Sequence, residues 1–251
     1  MSDFVKLTEL DTTRVRDMIC WPVFDESAYS DRLIQIQDLG VEAVALGGPH
    51  DVYGLAVLGK GNVGVVLRAI WRGSEVALKI RRTDSDRISM ESEAKLLGAA
   101  NTVNVGPKLL SWSKDFLVQE KLEGKYLRDW MKTNRNDTHL LRQTLRCLLL
   151  KAWRLDQIGL DHGELVKVRR HFIITRNGPR IIDFESASLV RRTHNVASVV
   201  QSIYLNWGFQ RLIEGFIEIP NMAVLIDALK QFKEEQNEVN FRKILKICNL
   251  E

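Results

Sequence analysis

The chain has 251 residues, of which 45% are hydrophobic and 27% are charged, and its formal net charge is +4. This balance excludes a mainly disordered chain, and the length allows a substantial core in one two-lobed domain or in two small ones. The sequence contains no apolar run approaching roughly 18 residues, and its start lacks the basic and then apolar pattern of a secretion signal. We therefore expect a cytoplasmic protein with no membrane partner.

The first 50 residues have a helical pattern. Apolar positions at helical spacing predict a short helix over residues 12–19. A second helix is predicted over residues 27–39, where Gly40 is suited to end it. We expect residues 1–50 to form a short N-terminal helical extension, and two interpretations stay open: a small helical segment or a degraded winged helix.

The next part of the chain changes to a β pattern. Residues 52–80 contain three short β-rich runs, the last two of which are joined by turn residues. A helix is predicted over residues 84–98, followed by two strands over residues 108–112 and 116–122. We expect residues 51–122 to form a small antiparallel β lobe with one helix.

The remainder of the chain, residues 123–251, is mainly helical in pattern. Residues 140–158 place their apolar side chains on one broad face, which predicts a central helix. Two β runs flank Asn177 and Gly178, a pair that strongly favours a hairpin, and another helix is predicted near Asn195. These residues are expected to form a mainly helical lobe, so the predicted fold class of the whole chain is α+β.

A glycine-rich segment is the first candidate for phosphate binding. The sequence GKGNVG places Gly59, Gly61 and Gly64 in a GxGxxG pattern, with Lys60 between the first two glycines. Glycines let the backbone turn tightly and bring its amides close to phosphate oxygens. The following residues have the pattern of a strand, a turn and a strand instead of the helix of a dinucleotide-binding fold, which favours a flap over ATP.

A lysine in the third β run is the next candidate. Lys79 ends the sequence VALK, and a lysine in an apolar strand is costly unless its ammonium group has partners. The α and β phosphates and a helix carboxylate would supply those partners. Glu93 is the predicted carboxylate, with Glu91 in reserve, and the competing interpretation of Lys79 is an edge lysine that reaches water.

Two carboxylates flank the predicted hairpin. Glu164 lies in DHGEL and Asp183 lies in DFES, so the hairpin can bring both carboxylates to one of its ends. A carboxylate at Asp183 suits a magnesium ion bound to a triphosphate, because magnesium prefers oxygen ligands. The competing interpretation is an Asp that forms the turn after a strand.

These motifs resemble the protein kinase superfamily over roughly residues 52–205, and most of all its smallest branch, the RIO kinases and the KEOPS-associated small protein kinase. HGEL is similar to that branch's His-Gly-Asp-Leu, and DFES is similar to its metal-binding Asp motif. The resemblance implies a bilobal protein kinase-like fold with ATP and magnesium in its cleft. It also implies that Asp183 holds magnesium and that the glycines cover the phosphates. The linker Glu120–Glu123, which includes Leu122, would contact adenine through its backbone.

Two departures from the family bear on catalysis. Glu164 stands where the family has its catalytic Asp, and a displacement of its oxygen by about 1 Å can cost about 10²-fold in rate. Arg169 replaces the family's Asn and cannot ligate magnesium. Arg169 then either neutralises phosphate charge in the transition state or lies in a solvated loop. His171 is the candidate metal ligand in place of that Asn, although a neutral imidazole is a poorer magnesium ligand than oxygen.

A basic patch lies around these residues. Residues 167–192 carry seven Lys and Arg side chains against Asp183 and Glu185. This excess of positive charge indicates either an anionic partner, such as RNA or a ribonucleoprotein, or a solvated rim around a nucleotide site. The three cysteines are far apart and odd in number, so neither a zinc site nor a disulfide framework is expected.

The predicted function is an ATP-dependent phosphotransferase, a RIO-like serine/threonine protein kinase or ATPase. It would transfer the γ-phosphate of ATP to a hydroxyl of a protein substrate, or to water while it acts on an assembly partner. The predicted catalytic residues are Glu164, as base or orienting carboxylate, together with Lys79 and Asp183. Two alternatives stay open: a pseudokinase that binds ATP as a scaffold, and a small-molecule or sugar kinase.

Overall fold

The computed structural model describes residues 3–12, 14–134 and 136–251. The fold is α+β, as predicted, with antiparallel strand pairs and a larger number of helical residues than strand residues. Across the described residues, no helix combines the length and the apolar content that crossing a membrane requires.

The chain divides into two compact units. Unit 1 lies within Met1–Gly98 and Pro107–Leu122, and unit 2 lies within Ala99–Gly106 and Glu123–Glu251. The two units are described separately below.

Unit 1 is a sheet with helices packed on it. Its strands are Val5–Lys6 (β1), Val41–Ala45 (β2), His50–Val52 (β3), Leu55–Val57 (β4), Gly59–Lys60 (β5), Gly64–Trp71 (β6), Ser74–Arg81 (β7), Leu109–Trp112 (β8) and Phe116–Glu120 (β9). Its helical segments are a 3-10 helix at Leu7–Thr12 and the α-helices Val15–Ile19 (α1), Glu26–Asp38 (α2) and Glu91–Thr102 (α3), whose last residues count with unit 2. Seven strands form one sheet in the order β1-β2-β6-β7-β9-β8, with β5 added on β6, and β3 pairs with β4 in a separate hairpin.

Two strands within the first 50 residues, β1 and β2, belong to this sheet. The prediction of a helical extension over residues 1–50 is therefore wrong in part. The α2 helix is present where a helix was predicted: the Asp25 side chain caps its first turn by accepting from the amide of Ala28 at 2.8 Å, and Gly40 ends it with φ +78°. However, β2 pairs with β6, and side chains of α1, α2 and β2 join those of the central strands in one core. Glu42 is the exposed residue of Val41–Ala45 and the other four are buried, so this strand lacks the regular alternation that marks a strand in a sequence.

The α3 helix begins seven residues later than predicted, at Glu91 instead of Asp84. Side-chain contacts hold the preceding segment as a loop. The Arg82 guanidinium donates to both carboxylate oxygens of Asp84 at 2.7 Å, and Arg81 Nη1 donates to the carbonyl of Arg87 at 2.9 Å. The Asp84 carboxylate, the predicted helix cap, is thus bound by Arg82, and the Arg87 carbonyl is bound by Arg81 outside a helix. The predicted cap therefore does not mark the start of α3.

Unit 2 is mainly helical. Its helices are Leu127–Asn134 (α4), Thr138–Gln157 (α5), Val168–His171 (α6), Asn195–Val200 (α7), Trp207–Ile213 (α8), Met222–Glu234 (α9) and Glu238–Ile247 (α10), with a 3-10 helix at Leu165–Lys167 and a π-helix at Gln201–Leu205. Its strands Gly124–Tyr126 (β10), Phe172–Thr175 (β11) and Gly178–Ile181 (β12) form an antiparallel sheet in that order.

The α5 helix is the centre of unit 2, as predicted. Its apolar face is completely buried at Leu141, Leu145, Leu148, Leu149, Ala152 and Leu155. Trp153 extends this core, because its ring stacks on Phe241 at 5.1 Å and meets the edge of Phe232 at 5.6 Å. The predicted hairpin is also present, with β11 and β12 joined by a two-residue turn directly before Gly178.

Candidate functional site

The glycine-rich segment forms a tight β-hairpin in unit 1. Gly59 lies opposite Val66 and Lys60 lies opposite Val65 in the pairing of β5 with β6. At the tip, the amide of Gly61 donates to the carbonyl of Gly64 at 2.8 Å. The segment therefore leads into a strand, as predicted, and not into the helix of a dinucleotide-binding fold.

Gly64 is the glycine with the closest backbone approach in this hairpin. A Cβ atom at this position would lie 2.5 Å from the carbonyl oxygen of Ile80 and 3.5 Å from Cγ of Lys79. Only glycine lets β6 and β7 come this close without a shift of the backbone. The tip of the hairpin is thereby fixed directly beside the aliphatic stem of Lys79.

Lys79 and Glu93 form a buried ion pair in unit 1. Lys79 Nζ donates to Glu93 Oε1 at 2.7 Å, and each residue is 5% exposed. Strand β7 lies between β6 and β9, so the interpretation of Lys79 as an edge lysine is wrong. Glu91, the reserve candidate, is instead exposed and pairs with Lys95 at 2.8 Å.

A gain in stability does not by itself explain why this ion pair is buried. Removing two charges from water costs several kcal/mol per ion, and the attraction between them returns that cost only with good geometry. Glu93 lies in the first turn of α3, where a carboxylate is also favoured by the helix dipole. A lysine held in this way has one fixed direction for its ammonium group, which suits the binding of an anion.

The predicted adenine linker lies at the end of unit 1. The amide of Glu120 donates to the carbonyl of Lys108 at 2.9 Å, and Glu120 Oε2 accepts from the amide of Lys108 at 3.0 Å. The N–H and the carboxylate of Glu120 are therefore used inside the sheet. Leu122 is half-buried and lies beyond the end of β9, so the backbone available for a base contact begins after Glu120.

Glu164 is held by two donors in unit 2 and lies beside a histidine. Lys167 Nζ donates to Glu164 Oε2 at 3.0 Å, and Ser186 Oγ donates to Glu164 Oε1 at 3.1 Å. His171 Nε2 lies 3.2 Å from Glu164 Oε2 without the geometry of a hydrogen bond. Both carboxylate oxygens are thus oriented, while 27% of the side chain stays exposed. The longer side chain of Glu relative to Asp is fixed in place by these contacts.

The same contacts keep the Glu164 carboxylate ionised. The hydrogen bond from Lys167 lowers the pKa of Glu164, and it outweighs the partial burial that would raise it. The hydrogen bond from Ser186 and the charge of Lys167 lower the pKa further. At neutral pH this group is an acceptor that can orient a hydroxyl, and it is a weak proton acceptor in the ground state.

His171 lies beside Glu164, and its role as a metal ligand stays a prediction. Its ring is buried, its Nε2 faces Glu164, and it meets the ring of His162 edge-on at 5.2 Å. Its chemistry is therefore directed to the Glu164 carboxylate. The sequence could not show this, because the contact depends on how the 3-10 helix and α6 turn His171 back towards Glu164.

Asp183 follows β12 in a left-handed backbone conformation. Its φ is +70°, a region that costs a non-glycine residue free energy but that Asp tolerates better than most. Burial raises the pKa of Tyr126, and the negative charge of Asp183 raises it further, so the two side chains are neighbours. Tyr126 was not predicted, and no local pattern marks it.

The charges of Asp183 and Glu164 both act on the imidazole of His162. Its ring is fully buried, and burial lowers the pKa of His162 to about 4, with a further contribution from His171. The charges of Asp183 and Glu164 act in the opposite direction and raise the pKa. Both carboxylates therefore lie within electrostatic reach of one imidazole.

Residues missed by the sequence hold the Glu164 loop in place. Gly163 has φ +84°, and a Cβ atom there would lie 2.5 Å from Nη2 of Arg191 and 2.7 Å from the carbonyl oxygen of Ser186. Arg191 Nε in turn donates to Asp161 Oδ2 at 2.5 Å. Behind the loop, the amide of His162 donates to Asn195 Oδ1 at 2.9 Å. The loop before Glu164 is therefore packed onto the segment that follows Asp183.

Most basic side chains of the patch contact other groups of the same chain. Lys167 contacts Glu164, and Arg191 contacts Asp161. Further basic side chains of the patch donate to carbonyl groups: Arg180 Nη1 to that of Gly106 at 3.1 Å, and Arg192 to that of Lys233. Arg170 and Arg176 are exposed.

Arg169 lies against α8. Its guanidinium carbon is 5.9 Å from the centre of the Phe209 ring, and a Cβ atom on Gly208 would lie 2.9 Å from Arg169 Nη2. This half-buried side chain does not match the solvated-loop alternative, and the phosphate-binding alternative stays a prediction.

The donor set fits a nucleotide-bound magnesium ion through Asp183 alone. Within the described part of the chain, no three His, Cys, Asp or Glu side chains are grouped so that they could hold a metal ion. Magnesium bound to a nucleotide keeps several waters and commonly uses one or two protein carboxylates. Asp183, whose charge acts on the half-buried Tyr126, offers such a carboxylate.

Comparison with known proteins gave no relative: no protein family model matches the chain, and no curated protein matches it.

Proposed function

We propose that this chain is an ATP-dependent phosphotransferase, a RIO-like serine/threonine protein kinase or ATPase with a bilobal protein kinase-like fold. The observation that carries the proposal is the buried pair of Lys79 and Glu93 beside the glycine hairpin. A strand lysine, a helix carboxylate that orients it and a glycine-rich hairpin next to its stem are the parts that phosphate binding requires.

In this proposal the candidate residues have separate tasks. Lys79 binds and neutralises phosphate oxygens, while Gly64 keeps the hairpin backbone close to them. Asp183 would hold magnesium, which supplies charge neutralisation on the phosphates when it is bound. Glu164 accepts a hydrogen bond from the attacking hydroxyl or water and takes its proton as the bond to the γ-phosphorus forms.

The contacts around Glu164 support its role as an orienting carboxylate. Since Lys167 and Ser186 each donate to one oxygen, Glu164 has little freedom to move away from a productive direction. Its low pKa favours the charged form, which a hydroxyl or water molecule can donate to. These features support a site adapted to Glu in place of Asp.

One observation favours a second candidate, a pseudokinase that binds ATP without turnover. Arg169, which replaces the family's Asn, lies against Phe209, and His171 faces Glu164. Neither residue offers the second oxygen ligand that magnesium prefers. A chain of this kind would retain Lys79 and Glu93 for nucleotide binding and act as a scaffold.

The test follows ATP labelled on the γ-phosphate, with and without magnesium, in the native chain and in the variants Glu164→Gln and Asp183→Asn. Glu91→Gln is the matched control, because Glu91 is an exposed carboxylate paired only with Lys95 in the described contacts of α3. We expect magnesium-dependent movement of the label in the native chain and the control, and a loss of about 10²-fold or more in both site variants.

The outcomes of this experiment distinguish the phosphotransferase from the pseudokinase. Binding of ATP without movement of the label in the native chain would support the pseudokinase. No measurable binding of ATP would contradict both candidates.

A further inference from the structure

A serine hydroxyl already occupies the position of an acceptor on Glu164. Ser186 lies three residues after Asp183, and its Oγ donates to Glu164 Oε1 at 3.1 Å. Its backbone carbonyl accepts from Arg191 Nη2 at 2.9 Å, which holds the residue in this orientation. The hydrogen bond from a hydroxyl to the proposed base is the contact that phosphoryl transfer to that hydroxyl would begin with.

We propose that Ser186 is a phosphoryl acceptor of this chain, so that the chain phosphorylates itself at this residue. The inference rests on the proposed function and names a substrate for that site. In the step, Ser186 Oγ forms a bond to the γ-phosphorus of ATP while its proton passes to Glu164 Oε1. The bond from the γ-phosphorus to the β,γ-bridging oxygen breaks, and its electron pair leaves with ADP.

Other hydroxyls in the same segment are directed elsewhere. Ser188 Oγ accepts from the amides of Val190 at 3.2 Å and Arg191 at 3.1 Å, which stabilises the turn of the segment. Thr193 Oγ1 is buried and donates to Gln236 Oε1 at 2.8 Å. Ser186 is therefore the hydroxyl of this segment that the described contacts direct at Glu164.

The surroundings of Ser186 would also hold the product. A phosphoserine carries a charge of about −1.5 to −2 at neutral pH and accepts strong hydrogen bonds from Lys and Arg. Lys167, which donates to Glu164, and Arg191, which donates to the Ser186 carbonyl, both lie next to this position. The phosphate would compete with Glu164 for Lys167 and repel the Glu164 carboxylate.

The test incubates the full chain with magnesium and γ-labelled ATP, locates the label by mass spectrometry and measures ADP in the same samples. We expect phosphoserine at Ser186 in the native chain and no label at that residue in Ser186→Ala. In Ser186→Thr, which keeps a hydroxyl, phosphothreonine at that residue is expected. Ser188→Ala is the matched control, and label at Ser186 should remain because the Ser188 hydroxyl does not contact Glu164.

The outcomes distinguish this inference from the proposed function. ADP formation without label at Ser186 in the native chain would overturn the inference and leave the proposed function standing. Absence of ADP in the native chain would overturn the proposed function, and the inference with it. A labelling rate per chain that rises in proportion to protein concentration would show transfer between chains and overturn the assignment of self-phosphorylation within one chain.

Discussion

The two units hold their functional carboxylates in opposite ways. In unit 1, Glu93 is 5% exposed and pairs with Lys79 across 2.7 Å. In unit 2, Glu164 keeps 27% of its side chain exposed and is shared among Lys167, His171 and Ser186. The first carboxylate is fixed by burial, and the second is fixed by several contacts that water could replace.

This difference indicates different tasks. A buried pair cannot separate without leaving a charge in the protein interior, so Lys79 keeps one direction whatever binds to it. A half-exposed carboxylate can exchange one donor for another at little cost, because solvent screens the charges that are left behind. Binding of phosphate needs the first kind of geometry, and acceptance of a hydrogen bond from an incoming hydroxyl needs the second.

The largest expected effect comes from breaking the buried pair. Lys79→Met leaves the charge of Glu93 in the interior without its cation, and we expect the free energy of unfolding to fall by about 3–5 kcal/mol. Denaturant unfolding of the native chain and the variant measures this change. In Glu164→Gln, the matched change in unit 2, the loss should stay below about 1 kcal/mol.

A double variant separates the burial of charge from the loss of contacts. Lys79→Met combined with Glu93→Leu removes both charges, so most of the lost stability should return, while nucleotide binding stays lost. If the double variant is as unstable as Lys79→Met alone, an unpaired charge is not the cause of the destabilisation.

A smaller effect is expected from the hairpin glycines. In Gly64→Ala the new Cβ atom would lie 2.5 Å from the Ile80 carbonyl oxygen, so β6 or β7 must shift, and we expect a loss of about 1–3 kcal/mol in the free energy of unfolding. In Gly59→Ala the nearest atom is Val66 Cγ2 at 3.2 Å, a side-chain atom that can adjust. Gly59→Ala should therefore cost less than about 1 kcal/mol, and equal losses in the two variants would contradict the close approach at Gly64.

Features carried by local pattern were predictable from the sequence. The apolar face of α5 repeats over 20 residues, and the β11 and β12 hairpin is marked by its own turn residues. The pairing of Lys79 with Glu93 also followed from a pattern, because a lysine inside an apolar strand requires a partner. In each case the signal lies within a short stretch of chain.

Features that depend on contacts between distant residues were not predictable. The strand β2 was missed because its short run pairs with β6 across 25 or so residues of chain, and only tertiary structure brings the two together. Ser186 reaches Glu164 from 22 positions away, and Arg191 reaches Asp161 from 30 positions away. No sequence spacing predicts such contacts, so the residues that hold the candidate site in place could be identified only from the structure.

The smallest expected effect is a pH dependence that again contrasts the units through two buried carboxylates. In unit 1, burial would raise the pKa of Asp115, but the hydrogen bond from Gln35 and the charges of Arg32 and Arg81 outweigh it and hold the pKa below its usual value. In unit 2, Asp156 is surrounded by amide donors without a cation among its described hydrogen bonds, and burial raises the pKa of Asp156 to about 6.

These shifts have opposite consequences for stability. Asp115 contributes stability above its unfolded pKa of about 4, and that stability is lost as the pH falls through its lower folded pKa. Asp156 binds a proton more tightly in the folded chain, so its contribution is fully present below about pH 4 and is lost as the pH rises through about 6. Between pH 6 and pH 4 the protonation of Asp156 should therefore oppose acid destabilisation.

Denaturant unfolding at several pH values between 4 and 7 measures this effect in the native chain, Asp156→Asn and Asp115→Asn. We expect Asp156→Asn to lose stability more steeply than the native chain as the pH falls from 6 to 4, since Asn binds no proton. Asp115→Asn should be less stable at every pH in this range and should keep the native slope above about pH 5, where Asp115 is ionised in both the folded and the unfolded chain. Parallel pH curves for the native chain and Asp156→Asn would contradict a raised pKa at Asp156, and would mean that its amide donors, and not its burial, decide its charge.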